Sequence, residues 1–295
     1  MIKQIFRHIV FLLKRFGGYD LYQNSYILNK YRDFKKYYYK KSKRFLFEVQ
    51  LADHCNLNCV SCSHFSPIAD KNFLDVTNYE KDCERFAELT KKYVYKIHLM
   101  GGEPLLHDNI IKIIQITRKN FQKCTIKIVT NGILLDRMEA EFWQLCKKNK
   151  VIISITYYPI SINIKNISEL SSRYGVEIES FRSDLNLNFR KDILDIKGTQ
   201  NYKKTFERCS PVCHHLYEGK LYMCRVPAYI KYVNKYFSQN FIVSPDDYID
   251  IYQVKDIKAI LKYLKNPIPF CRYCNKNTSS TIEWCLSKKD FSEWL

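Results

Sequence analysis

The chain has 295 residues, 46% of them apolar, which suffices for one core of α/β-barrel size plus a smaller module. Its twelve cysteines are too sparse for a small disulfide-built secreted domain. The net charge of +18 is concentrated at one end, where positions 1–44 hold twelve Lys/Arg against only Asp20 and Asp33. Nucleic acid, a lipid surface, and the chain's general richness in Lys, Ile, Asn and Tyr are alternative sources of that asymmetry.

Ile2, Ile5, Phe6, Ile9, Leu12, Leu13 and Phe16 recur at helical spacing until Gly17-Gly18 stops them. This predicts a short basic amphipathic helix, suited to docking on its own domain or to lying on an anionic membrane. The apolar run 9–13 is too short for a secretory signal, is closed by Lys14-Arg15, and precedes no small-residue cleavage pattern. No stretch reaches the length of a membrane span. The expected location is therefore the cytoplasm, with attachment to the inner face of the membrane as an option, and the thiols are expected to stay reduced and free to bind metal. Residues 19–44, rich in tyrosine and in Lys/Arg, are read as a second helix; 1–44 form a basic helical segment.

From Phe45 the pattern becomes strict alternation. Phe45, Phe47, Val49 and Leu51 share one side, and Leu46, Glu48 and Gln50 the other, as in a strand that half-faces something polar. Strands are predicted again at 94–100, 124–130, 151–157 and 176–182, separated by helices near 77–91, 107–121, 136–149 and 166–174. Repeated units of this length imply an α/β fold with a parallel sheet, open or curled into a barrel, whose ligands sit at the C-terminal strand ends. Alternation fades after about 185, and a domain boundary is expected near 205.

Directly after the first strand comes a CxxxCxxC loop, with Cys55, Cys59 and Cys62. Three thiolates at this spacing can hold three irons of a cubane and leave the fourth open to a small chelating molecule. A closed zinc site would need a fourth ligand, for which His64 is near in sequence. The second strand ends in Met100 and runs into Gly101-Gly102-Glu103-Pro104, a turn that bares backbone groups at the same end of the sheet. The third strand ends in Thr130-Asn131-Gly132, and the fourth places Ser154 and Thr156 on one face.

Together these motifs resemble the radical S-adenosylmethionine superfamily, in which CxxxCxxC follows the first strand and GGEP the second. The resemblance covers roughly residues 45–205 and implies a partial (β/α)6 TIM-like barrel. It also implies an enzyme in which Cys55, Cys59 and Cys62 hold a SAM-binding 4Fe-4S cluster, while Gly101, Gly102, Glu103 and Pro104 bind the methionine moiety. Asn131 and Ser154, with Thr156 in reserve, are the further candidates for contact with S-adenosylmethionine. The family often has an aromatic residue before the last cysteine, near the adenine. Here Ser61 stands there, so the adenine contact has to come from elsewhere, Phe65 being one option. The resemblance implies reductive cleavage of S-adenosylmethionine to a 5′-deoxyadenosyl radical, with flavodoxin or ferredoxin as electron donor. His98, Glu48, Glu177 and Glu179 are the barrel's acid/base candidates.

A second cysteine group begins with Cys209, Cys213 and Cys224 and continues with Cys271-Arg272-Tyr273-Cys274. Glu218-Gly219-Lys220, between Cys209 and Cys224, suits a hairpin tip. This pattern resembles the SPASM or shorter twitch extensions of the same superfamily, and implies one auxiliary 4Fe-4S cluster within a small C-terminal iron-sulfur domain, residues 206–295. Cys209, Cys224, Cys271 and Cys274 are one ligand set, Cys213 competes with Cys209, and zinc is an alternative metal. Cys83, Cys124, Cys146 and Cys285 read as ordinary buried thiols. The expected substrate is a peptide side chain or a sugar-like small molecule. RNA bound through 1–44, or a non-enzymatic zinc module that binds nucleic acid, are the competing functions.

Overall fold

The computed structural model describes residues 44–180, 188–209 and 213–295. The helices expected within 1–43, and with them the membrane or RNA segment, lie outside the described residues. Arg44–Leu295 form one compact unit.

β1 (Phe45–Ala52) is buried along its whole length. Phe45, Phe47, Val49 and Leu51 enter the main core, while Glu48 and Gln50 point to the other face and are buried too. β2 (Val94–Gly101), β3 (Thr125–Thr130), β4 (Val151–Ile155) and β5 (Ile178–Ser180) follow in parallel register, each paired to the one before. The connecting helices are α1 (Val76–Thr90), α2 (Ile110–Asn120), α3 (Ala140–Lys148) and α4 (Ile164–Tyr174). Their apolar stripes cover the outer face: Tyr79, Cys83 and Phe86 from α1, Ile113 and Ile114 from α2, Phe142, Trp143 and Cys146 from α3 all enter the same core as β1. The expected strand–helix order is thus observed, with ends displaced by a few residues.

The sheet differs from expectation at its other edge. The chain leaves the barrel after β5, and β6 (Asn188–Leu194) pairs antiparallel with β10 (Cys274–Glu283) in a separate ribbon. The sixth parallel strand is β7 (Cys213–Tyr217), which lies against the free edge of β1. β8 (Lys220–Tyr222) and β9 (Tyr248–Asp250) extend that edge antiparallel, giving the order β5-β4-β3-β2-β1-β7-β8-β9. β5 and β9 are not paired to each other, so the sheet is a partial barrel. Because β1 is buried on both faces, its backbone groups need a strand on each side, and β7 supplies the second. The sheet therefore runs straight through the boundary expected near 205.

The predicted hairpin tip is observed. Glu218 and Gly219 form a two-residue turn between β7 and β8, both with positive φ, 48° and 69°, the geometry that matches strand twist. α5 (Tyr202–Arg208), α6 (Arg225–Phe237) and α7 (Ile257–Tyr263) complete this half. A second apolar cluster, with Tyr229, Val233, Phe270 and Trp294 at its centre, lies under α6.

Candidate active site

The loop that carries Cys55, Cys59 and Cys62 leaves the C-terminal end of β1 and is held from two directions. The first is the end of β2, where Gly102 N–H donates to the Ala52 carbonyl at 2.8 Å and Glu103 N–H to the His54 carbonyl at 3.2 Å. A Cβ on Gly102 would stand 2.0 Å from the His54 oxygen, and one on Gly101, at φ 140°, 2.5 Å from that of Ala52. Only glycines let the turn lie this close to the loop. The second direction is residues 285–294. Val60 N–H donates to the Cys285 carbonyl (2.9 Å), Ser287 N–H to the Asn58 carbonyl (2.8 Å), Ser61 N–H to Glu293 Oε2 (3.0 Å) and the Trp294 indole to the Cys62 carbonyl (2.9 Å). Glu293 also accepts from Ser287 Oγ and from the Lys288 and Asp290 amides.

Each candidate side chain has a definite place. The Glu103 carboxylate is fully buried and spans two strand ends, accepting from Leu105 N–H and Thr130 Oγ at Oε1 and from Asn131 N–H at Oε2. Burial pushes its carboxyl up to about 7 against the pull of those three donors. Its side chain is thus used inside the protein, which leaves the backbone of 101–103 as the part of the turn that a ligand can meet. Pro104 opens the 3-10 turn that follows, where its missing N–H costs nothing. Asn131 Nδ2 donates to Asn56 Oδ1 at 2.8 Å and lies 3.7 Å from Cys55 Sγ, so it fixes the cysteine loop directly. Ser154 Oγ, buried, donates to Glu179 Oε1 at 2.9 Å, and Lys127 pairs with the same oxygen. Glu177 is exposed.

Two options weighed from the sequence, Phe65 and His64, lie elsewhere, and the expectation of a buried Cys285 is corrected. Phe65 is buried against Trp294 in the second apolar cluster and is not presented to a ligand. His64 Nδ1 donates to Gln50 Oε1 at 2.7 Å, inside the barrel rather than with the cysteines. Cys285 is exposed, because its backbone rather than its thiol is engaged by the loop. Cys83, Cys124 and Cys146 are buried thiols as expected.

No cysteine is paired in a disulfide. Burial first, and then like charge from Glu103 and Cys62 at Cys55 and from Cys62 and Cys55 at Cys59, push both thiols up to about 12. A coordinated metal inverts this preference and deprotonates the thiols outright. Three short-spaced sulfurs that repel one another as anions, with Leu57 N–H donating to Cys55 Sγ at 3.4 Å, fit the positively charged core of an iron–sulfur cluster.

The second group gathers from four elements: Cys209 at the end of α5, Cys224 at the N-cap of α6, Cys271 in the turn before β10, and Cys274 at its start. Burial drives up Cys224, to about 11, Cys271, to about 12, and Cys274; Cys224 also feels the charge of Cys209, Cys271 those of Cys224 and Cys209, and Cys274 those of Cys224, Cys271 and Cys209. Cys213 does not share these neighbours. It sits at the start of β7, and burial raises its thiol with Glu48 as the next cause. Among the described residues no three His, Cys, Asp or Glu side chains close on a single metal ion.

Sequence reasoning missed how the polar face of β1 is completed. Glu48 is flanked in register by His98 on β2 and His215 on β7, with His98 Nδ1 donating to Glu48 Oε1 at 3.2 Å and His215 Nδ1 3.4 Å from Oε2. Burial pushes the Glu48 carboxyl up, but the His98 hydrogen bond and the charges of His215 and Arg225 hold it well below the usual range. One layer nearer the cysteine loop, Gln50 Nε2 donates to Asp53 Oδ1 at 2.7 Å, and Tyr232 of α6 donates to the other oxygen of Asp53. The alternation of β1 signalled Glu48 and Gln50; nothing local signalled His215, Tyr232 or Arg225.

A parallel α/β sheet with three cysteines and a glycine turn at its C-terminal edge defines an iron–sulfur enzyme of the barrel class. Residues 49–210 match the family described as the Radical SAM superfamily, more than half of the chain, which therefore belongs to it. It is an enzyme family that uses a 4Fe-4S cluster and S-adenosylmethionine, so the non-enzymatic zinc reading falls away. The chain is 26% identical over 272 residues to a GTP 3′,8-cyclase from Synechocystis sp., covering 82% of this chain and 79% of that protein. Over a shorter stretch of 89 residues it is 36% identical to the GTP 3′,8-cyclase of Chlorobaculum tepidum, covering 30% and 26% of the two chains. Among solved structures, BtrN in complex with AdoMet and 2-DOIA shares the fold, with a TM-score of 0.51 at 17% identity over 80% of this chain and 94% of that one. Among the described residues no helix is long and apolar enough to cross a membrane.

Proposed function

We propose that this chain is a radical S-adenosylmethionine oxidoreductase with an auxiliary cluster, acting on a small polar molecule. Cys55, Cys59 and Cys62 would hold the first cluster and Cys209, Cys224, Cys271 and Cys274 the second, with Cys213 left out of both sets. The observation that carries this reading is the convergence of four thiols from α5, α6, the 269–273 turn and β10, while Cys213 faces Glu48 instead. When bound, the cluster and S-adenosylmethionine supply one-electron reductive cleavage and a 5′-deoxyadenosyl radical that abstracts hydrogen from the substrate.

The chain's own residues do the positioning. The 101–103 backbone presents polar groups to the amino acid end of the cofactor, Glu103 holds that turn against β3, and Asn131 orients Cys55. Ser154, on the inward face of β4, offers its hydroxyl oxygen as an acceptor while its proton is held by Glu179. A flavodoxin or ferredoxin would supply the electron. Residues 45–205 would serve as the radical core and 206–295 as the auxiliary part, although one sheet joins them.

The relatives named as GTP 3′,8-cyclases draw the substrate towards a nucleotide or a sugar-like molecule rather than a peptide side chain. A nucleotide is the second reading, favoured by the 272-residue similarity. Anaerobically reconstituted protein with dithionite is expected to convert S-adenosylmethionine to 5′-deoxyadenosine, and cleavage should quicken with the true substrate. Intact clusters without any cleavage would overturn the proposal; acceleration by GTP against a panel of sugars would decide between the two substrate classes.

A further inference from the structure

The two cysteine groups are joined by a single side chain. Arg225 directly follows Cys224 and opens α6, and its Nε donates to Ser63 Oγ at 2.8 Å. Ser63 directly follows Cys62. The path from one group to the other is therefore Cys62, Ser63, one hydrogen bond, Arg225, Cys224. The guanidinium feels the charges of Glu48, Cys213, Cys224 and Cys62 together. A part-buried guanidinium is costly without opposite charge nearby, and Glu48 inside the barrel is the first of the opposite charges that act on it. Glu48, fixed by His98, is the carboxylate that interacts with Arg225 and keeps its charge tolerable at this depth.

We infer that Arg225 is a shared cation that sits between the two cluster sites and raises the reduction potential of both. The inference rests on the two-cluster reading above. Reduction adds negative charge to a cluster, and a nearby fixed positive charge stabilises the reduced form more than the oxidised one. Charge on a low-dielectric path is felt more strongly than at the surface, so one part-buried arginine acts on both sites at once. The Ser63 hydrogen bond sets where the charge lies, because it ties the arginine to the loop of the first cluster while the peptide bond ties it to the second. In this inference Arg225 acts through the clusters; it is a positioning residue.

The test is an anaerobic redox titration of full-length reconstituted protein followed by electron paramagnetic resonance, with iron counted per chain. Arg225→Gln removes the charge, Arg225→Lys keeps it, and Ser63→Ala removes only the anchor. The expected result is that Arg225→Gln moves both midpoints to more negative values with about eight irons retained. Arg225→Lys should stay near wild type, and Ser63→Ala should move both in the same direction by less. Unmoved midpoints in Arg225→Gln, or movement of one cluster alone, would overturn the inference. If Arg225→Gln fails to retain iron, Ser63→Ala decides: a negative shift of both midpoints supports the shared cation, and wild-type values refute it. A wild-type chain with only about four irons sinks this inference together with the two-cluster reading, whereas two clusters with unmoved potentials sink this one alone.

Discussion

The two cysteine groups reach similar donor sets by opposite routes. The first is written within eight residues of one loop, and almost everything that immobilises it comes from far away: the 101–103 turn, Asn131, and residues 285–294. The second is scattered over α5, α6, a 3-10 turn and β10, with Cys209, Cys224 and Cys274 at the ends of their elements and Cys271 within the turn. Short spacing gives thiols without rigidity, and long spacing gives rigidity only once the fold has formed. A site of the first kind needs a clamp, and a site of the second kind needs a scaffold.

The sharpest way to break this comparison is to delete one thiol from each group. Cys59→Ala should abolish 5′-deoxyadenosine formation and leave about half of the iron. Cys224→Ala should remove a similar amount of iron while cleavage of S-adenosylmethionine stays measurable; complete loss of cleavage in both would erase the distinction. Next in size is the contrast between Cys209 and Cys213. Cys209→Ala should cost about four irons and Cys213→Ala none, counted on anaerobic protein.

The clamp gives a smaller effect, on stability. Glu293→Ala strips a buried carboxylate from four donors, Ser61 N–H among them, and is expected to cost about 3 kcal/mol by denaturant titration. It should also speed hydrogen exchange at Val60 and Ser61 more than at Cys271 or Cys274. Uniform exchange across both groups would show that the clamp does not act locally.

The smallest effect belongs to the scaffold of the second group. Asp195 accepts from Lys197 N–H, Thr199 N–H, Thr199 Oγ and Gln200 Nε2 in the turn that packs against Tyr273. Burial pushes its carboxyl up, but those donors outweigh it and bring it down from 3.8 to about 2. The fold therefore favours the ionised form, so this contribution is complete above pH 3.8 and is lost as pH falls through about 2. Asp195→Asn should lower stability at neutral pH slightly and flatten the loss between those values, with urea midpoints as the measure.

What could be read from the sequence follows the same division. Alternation in β1 and the strand–helix repeat up to β5 are local patterns, as are CxxxCxxC, GGEP and the Glu218-Gly219 tip, and all of them are found where spacing put them. The placement of β7 on the free edge of β1 was not legible, because any exposed edge could have taken it. The choice between Cys209 and Cys213 likewise depends on which face of a strand turns towards Glu48, and that register is fixed by pairing across 165 or more residues. Phe65 misled because an aromatic residue near a cysteine loop has the same spelling whether it faces a ligand or a core.

The clamp also bears on how the molecule is made. Ser61 and Cys62 are bonded by residues 232 positions further on. At a synthesis rate of about 5–20 residues per second, the partners emerge roughly ten to fifty seconds after the loop they fasten. For most of that interval the first three thiols have only the 101–103 turn and Asn131 to hold their loop, and the second set is completed near its end. The loop is fastened from its second side only once residues 285–294 have emerged, so iron delivered earlier meets a half-held loop and iron delivered later meets both sites at once.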